Sequence, residues 1–123
     1  SYSMKYNMVW DKIWGTNLFD EKVYRKEIAS NISKFNEYGL PLDSRCDQTK
    51  SGWLVWTATM AKNQAEFKKF IAPLWKFYNE TPDRVPMTDW YDTVACNRVG
   101  FQNRTVQGGL YIKLLDYSKK LKI

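Results

Sequence analysis

The sequence contains no histidine. That absence excludes a Ser-His-Asp or Cys-His nucleophile within this chain, and it excludes His-ligated zinc. The only two cysteines, Cys46 and Cys96, stand 50 positions apart and fit no metal-ligand spacing. Each reads as a free, partly buried thiol, with a disulfide between their two loops as the alternative. No apolar run approaches the ~18 residues needed to span a bilayer, and no secretory apolar segment opens the chain. No cofactor, metal or membrane span is therefore expected.

What is present is aromatic and basic. Apolar residues make up 44% of the 123 positions and aromatics 16%, enough for the core of one domain. The formal net charge is +6. The lysines are scattered, or gathered at the C-terminus as Lys119, Lys120 and Lys122. Such a pattern gives a solvated surface. Nucleic-acid binding would need a basic stripe within a recognisable motif, so no nucleic-acid partner is expected. Asn31, Asn79 and Asn103 begin Asn-x-Ser/Thr sequons, which matter only in a eukaryotic secreted context.

The apolar spacing predicts five helices. The first covers residues 4–14 and is ended by Gly15 and Asn17. The second, 20–36, starts at an Asp20 cap, carries Val23, Tyr24, Ile28, Ile32 and Phe35 on one stripe, and pairs Glu21 with Arg25 on its wet side. The third, about 50–62, is apolar nearly all round behind a Thr49 or Ser51 cap, and so reads as buried. The fourth, about 64–79, is two-sided and contains Pro73, where a kink is expected. The fifth, about 105–119, begins with Gly108-Gly109, which suits a very close backbone contact. No strand pattern competes, so the fold class is all-α, built of antiparallel helical hairpins. Two-sided and buried helices alternate, which predicts an outer and an inner layer. Trp53, Trp56 and Trp75 are expected in the core.

The stretch 84–109 has no helical or strand period, yet it holds Trp90, Tyr91 and Phe101 among Asp89, Asp92, Arg98 and Arg104. Structureless loops beyond ~15 residues are uncommon in compact domains and are usually functional or disordered; this aromatic content argues against disorder. With helices alternating up and down, loops 37–50 and 81–104 emerge at one end, over the N-termini of helices three and five. Those termini carry partial positive charge and favour an anionic or carbonyl-bearing ligand. Asp89 and Asp92 are the acid/base candidates, because paired carboxylates in an aromatic cleft can hold different protonation states. Their plainer reading is a loop-capping pair. Arg45 and Arg104 are candidates to clamp a substrate carboxylate, with Asp43 beside Arg45; an Asp43–Arg45 or inter-loop ion pair is the alternative. Trp90 is a candidate ligand platform. Lys50 is a base only if its pKa is lowered.

The blocks LPLDSR, TKSGWLVWTA, FYNETPDRVPMTDWYDT and VGFQNRTVQGG resemble the C-terminal part of the glutaminase A family of bacteria and fungi. The resemblance covers about Tyr6 to Tyr117. It implies a six-hairpin (α/α) toroid related to that of many glycosidases, of which residues 1–123 would form one helical segment. It implies hydrolysis of the glutamine side-chain amide to glutamate and ammonia, carried out by a longer protein in a secreted or periplasmic setting; this stretch alone is not expected to turn substrate over. A six-hairpin cleft for a carbohydrate and a non-catalytic helical scaffold are the rival functions. The family pattern has an aspartate after the TKS block, where this chain has Gly52. A segment of a toroid should also show an apolar inner face along helices one, three and five, covered by the remainder of the chain or by another copy.

Overall fold

The computed structural model describes residues 1–120, and Lys122 of the C-terminal lysine group lies outside them. A 3₁₀ turn, Tyr6–Met8, leads into α1, Val9–Trp14, which is shorter than the 4–14 expected. Ahead of the turn the chain bonds outward instead, the Met4 N–H donating to the Leu42 carbonyl at 2.8 Å. Gly15 closes α1 with φ at +62°. The return to α2, Glu21–Ile32, is organised by Asp11. Its carboxylate accepts from the Thr16 hydroxyl at 2.5 Å, the Leu18 N–H at 2.8 Å and the Tyr24 hydroxyl at 2.5 Å. Asp20 caps α2 as predicted, accepting from the Lys22 N–H at 2.8 Å, and Glu21 pairs with Arg25 at 2.9 Å.

Next come β1, Gln48–Lys50, and α3, Ser51–Thr59. Asn63 then caps α4, Gln64–Glu80, by accepting from the Glu66 N–H at 3.0 Å, while the Glu66 carboxylate reaches back to the Lys62 N–H at 2.8 Å. α4 continues through Pro73. Then follow β2, Trp90–Asp92, a 3₁₀ turn at Thr105–Tyr111, and α5, Ile112–Lys120.

Three expectations are corrected here. The fold is helix-rich, but it contains a small antiparallel sheet with register Gln48↔Asp92, Thr49↔Tyr91 and Lys50↔Trp90. Three-residue strands of mixed polarity are too short to display a period of two. Helix five does not start at residue 105: Thr105–Tyr111 is wound as 3₁₀, and its two glycines lower α-helix propensity there. Neither Thr49 nor Ser51 caps α3; the Ser51 N–H donates to the Asp89 carbonyl at 2.9 Å instead.

α3 is the inner element, packed against α1, α4, α5 and both 3₁₀ turns. Leu54 and Ala58 have no exposed surface. Thr57 and Thr59 are buried in the same helix, and their hydroxyls donate to the carbonyls four residues back at 3.0 and 2.8 Å. The expected exposed face on helix three is therefore absent: the chain's own residues cover it. On α1 and α5 apolar side chains are exposed as expected, with Trp14, Leu114 and Tyr117 open to solvent, as is Tyr111 at the end of the preceding 3₁₀ turn. Trp53 and Trp56 are half-buried against the core, but Trp75 points outward at 70% exposure.

Gly109 meets the requirement read from the double glycine. A Cβ there would lie 3.2 Å from Trp56 Nε1 and 3.5 Å from the Gly52 Cα, whereas one at Gly108 would meet nothing within 4 Å. Gly109→Ala should lower stability by about 1–3 kcal/mol through overpacking. Gly108→Ala should be near-neutral or stabilising, and paired urea titrations measure the difference.

Asp11 supplies an acid-sensitive lock. The Thr16 and Tyr24 hydroxyls, then the Leu18 N–H, hold its carboxyl down at about 2. A depressed folded pKa stabilises above the unfolded value of ~3.9 and loses that contribution as pH falls towards the folded one. Between pH 4 and 2 the urea midpoint should fall more steeply for the natural chain than for Asp11→Asn.

Candidate functional site

The two polar loops do meet, and the meeting is made by backbone. β1 belongs to the first loop and β2 to the second, so their pairing joins the segments directly. Further bonds reinforce it. The Thr93 N–H and hydroxyl both donate to the Asp47 carbonyl, at 2.9 and 2.6 Å, and the Asn36 amide donates to Thr93 Oγ1 at 2.9 Å. Tyr91 is wholly buried, stacked on Phe77 at 3.8 Å, with its hydroxyl donating to the Tyr38 carbonyl at 2.8 Å. Burial pushes that phenol well above its ordinary pKa. A Cβ on Gly39 would come within 2.7 Å of the same hydroxyl, so the first loop needs glycine where Tyr91 enters.

The long loop satisfies its own polar groups. Thr88 Oγ1 donates towards the carbonyls of Trp90 and Phe101 at 2.8 and 2.7 Å, and the Asn103 N–H donates to the Met87 carbonyl at 2.9 Å. Gln102 and Gln107 amides donate to the carbonyls of Pro86 and Met87, each at 2.8 Å. This is how a long segment without helical or strand period stays ordered.

At the end of α3 that carries Trp53 lies an open groove of about 490 Å³, lined by Tyr6, Leu42, Asp43, Arg45, Trp53 and Trp90 among others. Tyr6 stacks flat on Trp53, with ring centres 4.0 Å apart, and Trp53 meets Trp90 edge-on at 6.3 Å. The Asp43–Arg45 pair is local and largely solvated: Arg45 Nε and Nη2 donate to the carboxylate at 3.0 and 2.6 Å, and the Arg45 side chain is 83% exposed. That guanidinium, then the Arg45 backbone N–H, holds the Asp43 carboxyl below its usual range.

Behind the tryptophans sits a second charged group. Asp89 is 1% exposed, and both its oxygens accept from Arg104, through Nε at 3.1 Å and through Nη2. The Arg104 guanidinium lies 4.4 Å over the Phe101 ring, and the Asp89 hydrogen bond raises its pKa. Lys50 Nζ is 4.0 Å from the same carboxylate, and 4.5 and 5.8 Å from the ring centres of Trp53 and Trp90.

The predicted residues thus fall into three places. Asp43, Arg45 and Trp90 line the groove; buried Asp89 pairs with half-buried Arg104 beside it; and Asp92 caps its own loop, its Oδ1 accepting from the Val94 and Ala95 N–H groups at 2.8 Å. The two aspartates share no hydrogen-bond partner. Sequence reasoning missed Tyr6 and Trp53 as groove residues and assigned Lys50 no binding role. Their spacing is helical or unremarkable, and only contacts made across the chain reveal them. The cysteines are free, Cys46 exposed and Cys96 half-buried. Among the described residues no cluster of metal-ligating side chains occurs.

At the opposite end of α3 a second depression, about 390 Å³, is lined by Asp11, Tyr24, Arg25 and Met60. Its charged groups are already committed: Asp11 to the α1–α2 return, and Arg25 to Glu21 and to Glu66 at 3.5 Å. Arg25 Nε and Nη1 are nonetheless buried without a hydrogen bond, so the ion pairs hold the guanidinium by charge rather than by directed bonds.

Comparison with known proteins agrees with this architecture. Glutaminase A of Aspergillus oryzae (strain ATCC 42149 / RIB 40) is 32% identical over 118 residues, which are 94% of this chain but 17% of that protein. A protein of Arthroderma benhamiae described as a probable glutaminase is 32% identical over 78 residues, 63% of this chain and 9% of that one. The chain therefore spans less than a fifth of the length of either relative. No solved structure matches it. The family model described as the glutaminase A six helical-hairpin domain matches residues 1–114, and the chain belongs to that family.

Proposed function

We propose that this chain forms one loop-bearing section of a six-hairpin toroid in a glutaminase, and that the groove at Trp53 and Trp90 holds glutamine while its side-chain amide is hydrolysed to glutamate and ammonia. The observation that carries the reading is the convergence of both polar loops, through the β1–β2 pairing, on an aromatic groove flanked by charges of both signs. Glutamine presents an ammonium, a carboxylate and an amide. A groove lined by Asp43 and Arg45, with Lys50 and the Asp89–Arg104 pair behind its tryptophans, offers partners for those groups. The exposed apolar side of α1 and α5, including a shallow groove of about 270 Å³ between Trp10, Trp56, Tyr111 and Leu115, is proposed to pack on neighbouring hairpins or on a second copy.

A carbohydrate is the second reading. The stacked Tyr6–Trp53 pair and the edge-on Trp90 would present apolar surface to a sugar ring, with Asp43 and Arg45 as hydroxyl partners. Assays on the intact protein separate the two. Ammonia release from glutamine without cleavage of aryl glycosides supports the first reading, and the reverse pattern supports the second. Turnover of neither leaves the scaffold function.

Asp89 and Asp92 remain the proposed acid/base residues, with unequal expectations. Acid/base work by Asp89 requires its carboxylate to leave Arg104, and a positioned general acid or base is typically worth ~10²–10⁴-fold. Asp89→Asn should lower kcat/KM by at least ~10²-fold. It should also destabilise the fold, because it uncouples a nearly buried ion pair. Asp92→Asn should keep the loop cap, because an amide oxygen accepts the same Val94 and Ala95 N–H groups, and should reduce turnover by less than ~10-fold. Equal losses of turnover in the two variants, with both still folded, would place Asp92 on the substrate.

A further inference from the structure

We propose that Lys50 is the carboxylate-binding residue beside the groove: its ammonium group, held against Trp53 and Trp90, which line the groove, takes the carboxylate of a small anionic ligand. The inference rests on the groove being the substrate site. In the glutamine reading, the group bound is the α-carboxylate.

Three cations stand at the convergence of the two loops, and two are already engaged. Arg45 spends Nε and Nη2 on Asp43, and Arg104 spends the same two nitrogens on Asp89. Lys50 differs. The acid nearest its Nζ is Asp89, at 4.0 Å, which is beyond hydrogen-bond distance, and among the described residues its ammonium donates no hydrogen bond. An ammonium carries three N–H donors, and its side chain here is only 14% exposed. The Nζ is not sealed off from solvent, so water, or a ligand oxygen in its place, can complete those donors.

The mounting points the same way. Lys50 pairs with Trp90 across the sheet, and its Nζ lies over the Trp53 ring at 4.5 Å. Tyr6 stacks flat on Trp53, so the ring is sandwiched between an aromatic side chain and a cation. The ring faces attract the ammonium and fix its position without neutralising its charge. Charge counting then decides the ligand class. Asp89 contributes −1, while Arg104 and Lys50 contribute +1 each, so the cluster carries one uncompensated positive charge. Lys50 is also the N-cap of α3, whose first turn has no acidic residue, so the helix terminus adds positive potential of its own. A carboxylate supplies the missing negative charge and the missing acceptors together. Its attached carbon chain would lie against Trp53 and Trp90, which line the groove.

The test uses the intact protein and two matched ligand pairs: L-glutamate against glutamine α-amide, and glucuronate against glucose. Binding is followed by calorimetry in the natural protein, in Lys50→Met, which keeps the stem between the tryptophans without the charge, and in Lys50→Arg. The expected result is that the natural protein binds at least one of the two acids more tightly than its neutral partner. Lys50→Met should weaken that acid by tenfold or more and remove the preference, and Lys50→Arg should restore much of it. If glutamine is turned over, KM in Lys50→Met should rise more than kcat falls. An unchanged acid preference in a folded Lys50→Met protein overturns the proposal, as does a natural protein that prefers neither acid. Should Lys50→Met fail to fold, the salt dependence of the natural protein decides: acid binding that does not weaken between 50 and 500 mM salt overturns it. Absence of glutamine turnover alone would sink the glutaminase reading, while the binding arms still judge Lys50.

Discussion

Three residue pairs of antiparallel backbone, Gln48↔Asp92, Thr49↔Tyr91 and Lys50↔Trp90, are the constraint on which the rest of this structure depends. Remove that ladder and loops 37–50 and 81–104 become independent surface segments. With it, Lys50 is carried to Trp90, and the Asp89 carbonyl is carried to the first free N–H of α3. Helix termini leave backbone donors without intrahelical partners, and here one of them is used to dock a distant loop. The candidate site is thus assembled by main-chain bonds, and side chains supply its chemistry.

Tyr91 turns that ladder into part of the core. Of its two half-buried neighbours on β2, Trp90 lines the groove and Asp92 caps its own loop, while Tyr91 itself is fully buried against Phe77 of α4. The short sheet therefore has one side in the hydrophobic interior and the other at the groove. Gly39 and the Tyr38 carbonyl complete the socket for its hydroxyl. A strand of three residues would have little stability by itself, and here the aromatic ring supplies the anchoring.

The sequence made the helical part of this arrangement legible because its signals are local. Asp20 caps α2, Glu21 sits one turn before Arg25, and Phe70, Leu74 and Phe77 bury one side of α4. Helix parity was enough to bring the two loops to one end. The site was less legible because its partners are distant in the chain. Lys50 gains its surroundings from Trp53, Trp90 and Asp89, and Asp89 is bonded to Arg104. Nothing in the QTKSG stretch distinguishes that lysine from a solvated one. The same holds for Trp75: its position on α4 resembles a core position, yet the face it occupies has no covering element among the described residues. The glycines stood between these extremes. A close approach was readable from Gly108-Gly109, but which of the two needed it was not, and Gly52 proves to be its counterpart on α3.

The anchoring of Tyr91 has a consequence for how a ligand would be received. Segments that order only when a ligand arrives charge their lost conformational freedom against affinity, at roughly 0.5–1.5 kcal/mol for each immobilised side chain. Here the ordering of β1, β2 and the flanking aromatic rings is settled during folding, because the same bonds that close the core also set the groove walls. The site is preorganised. A molecule entering it would meet a surface already shaped by the core, so discrimination between ligands would rest on fit and charge, with little contribution from closure of the loops around the guest.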